Sequence, residues 1–323
     1  MDNQLKIHIR NLFREYGYSK RMGLSAGNET LPHYFLHRRF LSDQDLLIIF
    51  NTKRCRYNCH FCNLPSKSRN KLIPTNSILA QFEYVVNELK HSLSVINRIT
   101  LSNEGSVLDT KTFPHDALIT IIECTTELRN VRRLVFETQM EFVTSKYICE
   151  LNNANPRAQI DILAGFETVD INIRNEILGK RESIESFLHG LDELAQTSAS
   201  LTAYVLFKPS PFMTDDDAKV EAKKSIDFLL KKCNEKQIPL TIRLNPMYAA
   251  ENTVWAKQAF SCKDYLAPRL SDVLEVAEHT RARGVQIYIG LSTEGLEDPR
   301  GTYRTRDDFS PKLLKLAINF NKG

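Results

Sequence analysis

From position 45 onward the chain alternates short apolar runs, rich in branched residues, with longer stretches in which apolar positions recur at helical spacing. The short runs occupy 46–50, 98–101, 133–136, 160–166, 203–207, 240–244 and 285–289, and helical stretches lie between them at 75–90, 116–128, 183–195, 215–232 and 271–283. A helix between two strands carries the chain back to the end it left, so the strands pair in parallel. The expected fold class is α/β, a partial (β/α)6 TIM-like barrel with an extra C-terminal strand and helix. No linker-like segment interrupts the rhythm, which predicts one barrel domain over 45–323. Ahead of it, 1–44 reads as an amphipathic helix at 3–15 followed by a basic, aromatic segment at 16–40. That segment is expected to cap one end of the barrel.

In parallel α/β folds ligands gather at the carboxyl ends of the strands, where loops converge and helix N-termini present partial positive charge. The first run leads directly into Cys55, Cys59 and Cys62, three of the seven cysteines within eight positions. Soft thiolates in such number select zinc or an iron–sulfur cluster. Three thiolates suffice for a cubane with one open iron, whereas structural zinc requires a fourth ligand, for which His60 and His91 are the nearby candidates. The second run ends in Ser102-Asn103-Glu104-Gly105, the third in Glu137 and the fourth in Glu167. A carboxylate at a strand end can accept from both hydroxyls of a ribose, or pair with a cation such as Lys180 or Arg174. Lys208 ends the fifth run, within reach of a ligand carboxylate, and Asn245 ends the sixth beside Pro246. Cys124, Cys149 and Cys233 fall in helical stretches, and Cys262 has no partner at cluster spacing, so no second cluster is expected. The 247–270 loop and the N-terminal segment are the candidate covers for the barrel mouth.

Composition narrows the setting. Apolar residues make up 42% of the chain, enough for a sizeable core, and 43 basic against 39 acidic residues permit an anionic partner without demanding one. No apolar run reaches membrane-span length and the start has no signal-peptide core, so an unexported chain with reduced thiols in the cytoplasm is expected.

The Cys-x3-Cys-x2-Cys spacing with Phe61 before the third cysteine resembles the signature of the radical S-adenosylmethionine (radical SAM) superfamily. The resemblance implies a 4Fe-4S cluster on Cys55, Cys59 and Cys62 whose open iron chelates S-adenosyl-L-methionine, with Phe61 at the cofactor. Further phrases are similar to the branch that holds the archaeosine synthase radical SAM subunit and the Elongator catalytic subunit. They include Asn51-Thr52-Lys53, Asn103-Glu104-Gly105-Ser106-Val107-Leu108-Asp109, Glu137-Thr138-Gln139, Gly165-Phe166-Glu167-Thr168 and Asn245-Pro246. In that branch Glu137 and Glu167 would contact the cofactor, and Lys180 stands near where relatives place a basic residue; Asn103 and Glu104 match the superfamily's methionine-binding segment by position, and Asn245 is a cofactor candidate from its strand end. Asn103-Glu104-Gly105 departs from the Gly-Gly-Glu order of the superfamily. No cysteines occur at 301–309, where the archaeosine subunit would carry them.

Archaeosine chemistry acts on a 7-deazaguanine base, and the related queuosine lyase of queuine salvage frees queuine from its nucleoside. The resemblance therefore implies a small nucleoside substrate, queuosine or its 5'-phosphate, and an electron donor such as flavodoxin or ferredoxin, with tRNA as the less favoured partner. The other readings are a radical SAM enzyme of tRNA modification or natural-product biosynthesis, and a non-catalytic RNA-binding protein with a structural metal site.

Overall fold

A computed structural model describes residues 19–22, 28–64, 68–103, 105–291 and 298–323. The helix expected at 3–15, and Glu104, lie outside the described residues. Among the described residues nine strands form one sheet in chain order. They are β1 (Ser19–Met22), β2 (Tyr34–Phe40), β3 (Asp43–Ile49), β4 (Arg98–Ser102), β5 (Arg133–Thr138), β6 (Gln159–Glu167), β7 (Ser200–Phe207), β8 (Leu240–Pro246) and β9 (Gln286–Ile289). The first three pair antiparallel, and β3 through β9 pair in parallel. The helices are α1 (Thr75–Glu88), α2 (His115–Cys124), α3 (Ser145–Ala154), α4 (Ile184–Leu194), α5 (Asp215–Glu235), α6 (Val254–Ser261), α7 (Leu270–Ala282) and α8 (Pro311–Phe320).

Each crossover advances the sheet by one strand in the same direction, so the sheet curls into the expected partial barrel. The curl brings the ring of Phe40 on β2 to 4.4 Å from that of Tyr288 on β9, stacked. Alternation along each strand sets the two faces. Leu46, Ile48 and Phe50 of the first parallel strand and its end pack outward with the helices, as do Ile242 and Leu244 of β8. Leu47 and Ile49 face inward with Tyr34 and Leu36.

The amino-terminal end of the barrel is closed by charge instead of apolar side chains. Arg98 is buried between Asp45 (3.8 Å) and Asp161 (3.6 Å), and Arg38 pairs with Asp45 at 2.9 Å. Thr100 and Thr202 donate to Asp45 and Asp161, each at 2.7 Å. The Arg98 guanidinium lies 3.7 Å from the centre of the Phe40 ring.

Two segments differ from the sequence reading. Tyr34–Phe40, expected within a cap, is strand β2, paired residue for residue with β3. Its arginines and aromatics are used inside the molecule, Arg38 on Asp45 and Phe40 on Tyr288, so they do not form a basic surface. The 247–270 stretch, expected as a covering loop, contains α6, started by the Thr253 hydroxyl accepting from the Ala256 amide at 3.1 Å.

Candidate active site

A cavity of about 250 Å³ opens at the carboxyl ends of the parallel strands, and Cys55, Cys59 and Cys62 all line it. The cysteine loop is tied down from several sides. The His60 amide donates to the Leu178 carbonyl at 2.8 Å, and the Trp255 amide, at the start of α6, donates to the His60 carbonyl at 2.9 Å. Arg56 reaches Asp109 (3.6 Å) and Glu141 (3.2 Å) on the neighbouring loops. Gly105 lets the turn after β4 approach: a Cβ there would stand 2.9 Å from the Cys55 Cβ. The glycine is thus a fitting condition of the loop.

Around the rim the second, third and fourth strand ends supply polar side chains. Asn103 is buried, accepting from the Gly105 amide at 2.9 Å and donating to the Thr52 hydroxyl at 3.3 Å. Glu137 accepts from the Ser102 hydroxyl. Glu167 sits at a bulge of β6 with a left-handed φ of 70°, a conformation that costs a non-glycine residue about 1–3 kcal/mol. Burial raises its pKa, opposed by Lys180 and Arg174. The Lys180 ammonium stands 3.7 Å from Glu167 and 3.6 Å from Glu182, and donates to Gln139 at 2.9 Å. Arg174, also buried, pairs with Glu182 at 3.5 Å and donates to its carbonyl at 3.1 Å. The lysine is therefore saturated by its own protein. Gly165 makes room for this group, since a Cβ there would fall 2.2 Å from Glu167 Oε1 and 3.1 Å from Lys180 Nζ.

On β8 two further polar residues line the cavity from the inner face, Arg243 and Asn245. Asn245 Oδ1 is buried without a hydrogen-bond partner, facing Gly290, where a Cβ would lie 2.0 Å away. Arg243 is 7% exposed; it donates to the Tyr204 hydroxyl at 3.1 Å, its Nε is unpartnered, and among the described residues no carboxylate pairs with it. The Tyr204 and Tyr288 rings lie 4.9 and 5.9 Å from its guanidinium. Such faces return about 0.5–2 kcal/mol, less than the several kcal/mol that burying an ion costs.

No family model matches the chain. An uncharacterized protein of Methanocaldococcus jannaschii is 23% identical over 286 residues, 87% of this chain and 76% of that protein. Archaeosine synthase subunit beta of Methanosarcina acetivorans is 20% identical over 265 residues, covering 81% and 74%. Among solved structures, spore photoproduct lyase complexed with dinucleoside spore photoproduct superposes with a TM-score of 0.53 at 15% identity, over 78% of this chain and 79% of that one. Streptococcus suis SuiB bound to S-adenosylmethionine gives 0.52 at 11% identity, over 90% of this chain, which spans about half of SuiB's length (55%). The chain has the radical SAM fold.

The donor set suits the cluster that this fold implies. Three thiols line one cavity; burial pushes the Cys55 pKa up to about 12 and raises that of Cys59, and a bound metal's charge would favour their thiolates. The histidine alternative finds no support in the geometry: the His60 ring is turned to the Ile177 carbonyl, 3.3 Å from Nδ1, and packs where a Gly179 Cβ would sit 2.7 Å from it. His91 is exposed in the turn after α1.

The structure thus brings together Cys55, Cys59, Cys62, Phe61, Asn103, Glu137, Glu167, Lys180 and Asn245 around one cavity. Phe61 also packs beside Leu178, Leu206, Met247 and Trp255. Lys208 does not join them: it is buried on Asp215 at 2.7 Å, in the first turn of α5. Glu182 and Arg243 were not singled out in the sequence. For Arg243 a signal existed, since polar Thr241, Arg243 and Asn245 alternate with apolar Leu240, Ile242 and Leu244.

Proposed function

We propose that the protein is a radical SAM enzyme that binds a 4Fe-4S cluster on Cys55, Cys59 and Cys62 and acts on a small nucleoside, queuosine or its 5'-phosphate, releasing queuine. The observation that carries the class is the convergence of three thiols and the strand-end carboxylates on one cavity of a parallel partial barrel. When bound, the cluster would supply the electron for reductive cleavage of the cofactor's sulfonium and so the radical chemistry that removes a hydrogen atom from the substrate. Glu137 and Glu167 are placed to accept from ribose hydroxyls. Lys180 holds Glu167 in position, and Asn103 shapes the turn against the cysteine loop. Asn245 presents an unsatisfied acceptor toward the cavity wall. Leu47, Ile49 and Leu206 give the cavity wall an apolar surface, which disfavours water beside the reacting atoms.

The substrate rests on sequence likeness to archaeosine synthase subunit beta, and a cavity of about 250 Å³ suits a free nucleoside or nucleotide. An electron donor of the flavodoxin or ferredoxin kind completes the reaction in the cytoplasm. Among the described residues no helix is long and apolar enough to cross a membrane.

The test is anaerobic. The protein is reconstituted with iron and sulfide, reduced with dithionite and given S-adenosylmethionine with and without queuosine or its 5'-phosphate, and 5'-deoxyadenosine and free queuine are assayed. Both products are expected, and both are expected to vanish in Cys59→Ala. Deoxyadenosine without base release would sink the substrate; a protein that takes up zinc and never cleaves the cofactor would sink the class.

A further inference from the structure

Among the described residues two cations line the cavity, and they differ in what surrounds them. Lys180 is neutralised by Glu167 and Glu182. Arg243 is buried too, yet among the described residues its hydrogen-bond partner is the neutral hydroxyl of Tyr204, and its Nε has none. A guanidinium cannot shed its charge at any working pH, so burial without a counter-ion leaves a standing penalty. The charged layer at the barrel floor does not relieve it: Asp45 and Asp161 are engaged by Arg38, Arg98, Thr100 and Thr202.

Position separates Arg243 from the cofactor residues. It lies two positions before Asn245 on β8, about 7 Å deeper in the barrel. In the sheet order β8 is three strands from β5, which carries Glu137. Two tyrosines flank the guanidinium, Tyr204 opposite it in register on β7 and Tyr288 opposite on β9, and fix its plane. A planar donor fork held in this way matches an oxyanion.

We propose that Arg243 is the anchor for an anionic group of the substrate, a phosphate or carboxylate buried at the inner end of the cavity. On the nucleoside reading above, that group is the 5'-phosphate, so the substrate is the nucleotide and not the free nucleoside. The identity of the anion rests on that reading; the anion site does not. Its burial would place the substrate's charged end at the floor and leave its sugar between Arg243 and the cysteine loop.

Calorimetric titration of the reconstituted protein with queuosine, queuosine 5'-phosphate and ribose 5-phosphate tests this, beside Arg243→Met and Arg243→Lys. The native protein is expected to bind the nucleotide about 100-fold more tightly than the nucleoside, the worth of one desolvated charge pair. Arg243→Met should erase the difference, Arg243→Lys should restore part of it, and S-adenosylmethionine affinity should stay the same in all three proteins, which also shows that the variants are folded. If neither queuosine form binds but ribose 5-phosphate does, and Arg243→Met loses it, the base assignment fails while the anion site stands. Equal affinity of native protein and Arg243→Met for both phosphates would overturn the site. Loss of S-adenosylmethionine binding in Arg243→Met, with Arg243→Lys retaining it, would overturn it as well, because the arginine would then serve the cofactor.

Discussion

Single atoms decide much of the rim. Gly165 is the clearest case, because its missing Cβ is the space into which the Glu167 carboxylate and the Lys180 ammonium fit. Gly165→Ala should displace both, at an overpacking cost of about 1–3 kcal/mol. S-adenosylmethionine affinity, measured by titration of the reconstituted protein, is therefore expected to fall about tenfold. An unchanged affinity would show that Glu167 does not touch the cofactor. The residue types at this rim were legible in the sequence: a carboxylate after each of two apolar runs, and a lysine thirteen positions after the second, 167 to 180. Their pairing was not. That Lys180 is shared among Glu167, Glu182 and Gln139 depends on three separate chain segments meeting.

Among the elements, α6 holds the cysteine loop at His60. Trp255, fully buried, donates its indole N–H to the Pro209 carbonyl at 2.8 Å and packs against Tyr265, while its amide holds the His60 carbonyl. Trp255→Ala removes a core ring at a cost of about 3–5 kcal/mol. A matching fall in unfolding free energy is expected in urea, with faster amide exchange at His60. Protection at His60 equal to that of the native chain would mean that the helix does not hold the loop. At the other edge, Asn321 after α8 accepts from the Ile289 amide at 2.7 Å and donates to its carbonyl at 2.8 Å. A side chain thus takes the place of a tenth strand and blunts the exposed edge of β9.

At the scale of the molecule, the curled sheet has two ends of opposite character. The carboxyl end opens into the cavity; the amino end is sealed by Arg98, Asp45 and Asp161. Removing one partner of such a buried group leaves a charge uncompensated, at about 3–5 kcal/mol. Asp161→Asn should lower the unfolding free energy by that amount in a denaturant titration and leave S-adenosylmethionine binding intact. A loss below about 1 kcal/mol would be that of an exposed pair and would mean the layer contributes little.

The sequence alone determined the alternation of strand and helix, hence a parallel sheet whose loops converge at one end, and the cysteine spacing, hence three thiols on one of those loops. Both are local: a period of two or 3.6 and a separation of a few residues survive in the unfolded chain and can be read there. The tertiary structure decided which charges meet. Tyr34–Phe40 became a strand because β3 offered an antiparallel edge, and its arginine found Asp45 instead of solvent. Lys180 was paired with two carboxylates, and Arg243 with none among the described residues, by the order in which strand ends converge around the curl. Coulomb pairing at a few ångströms depends on distances between segments far apart along the chain, and only the folded sheet sets those distances.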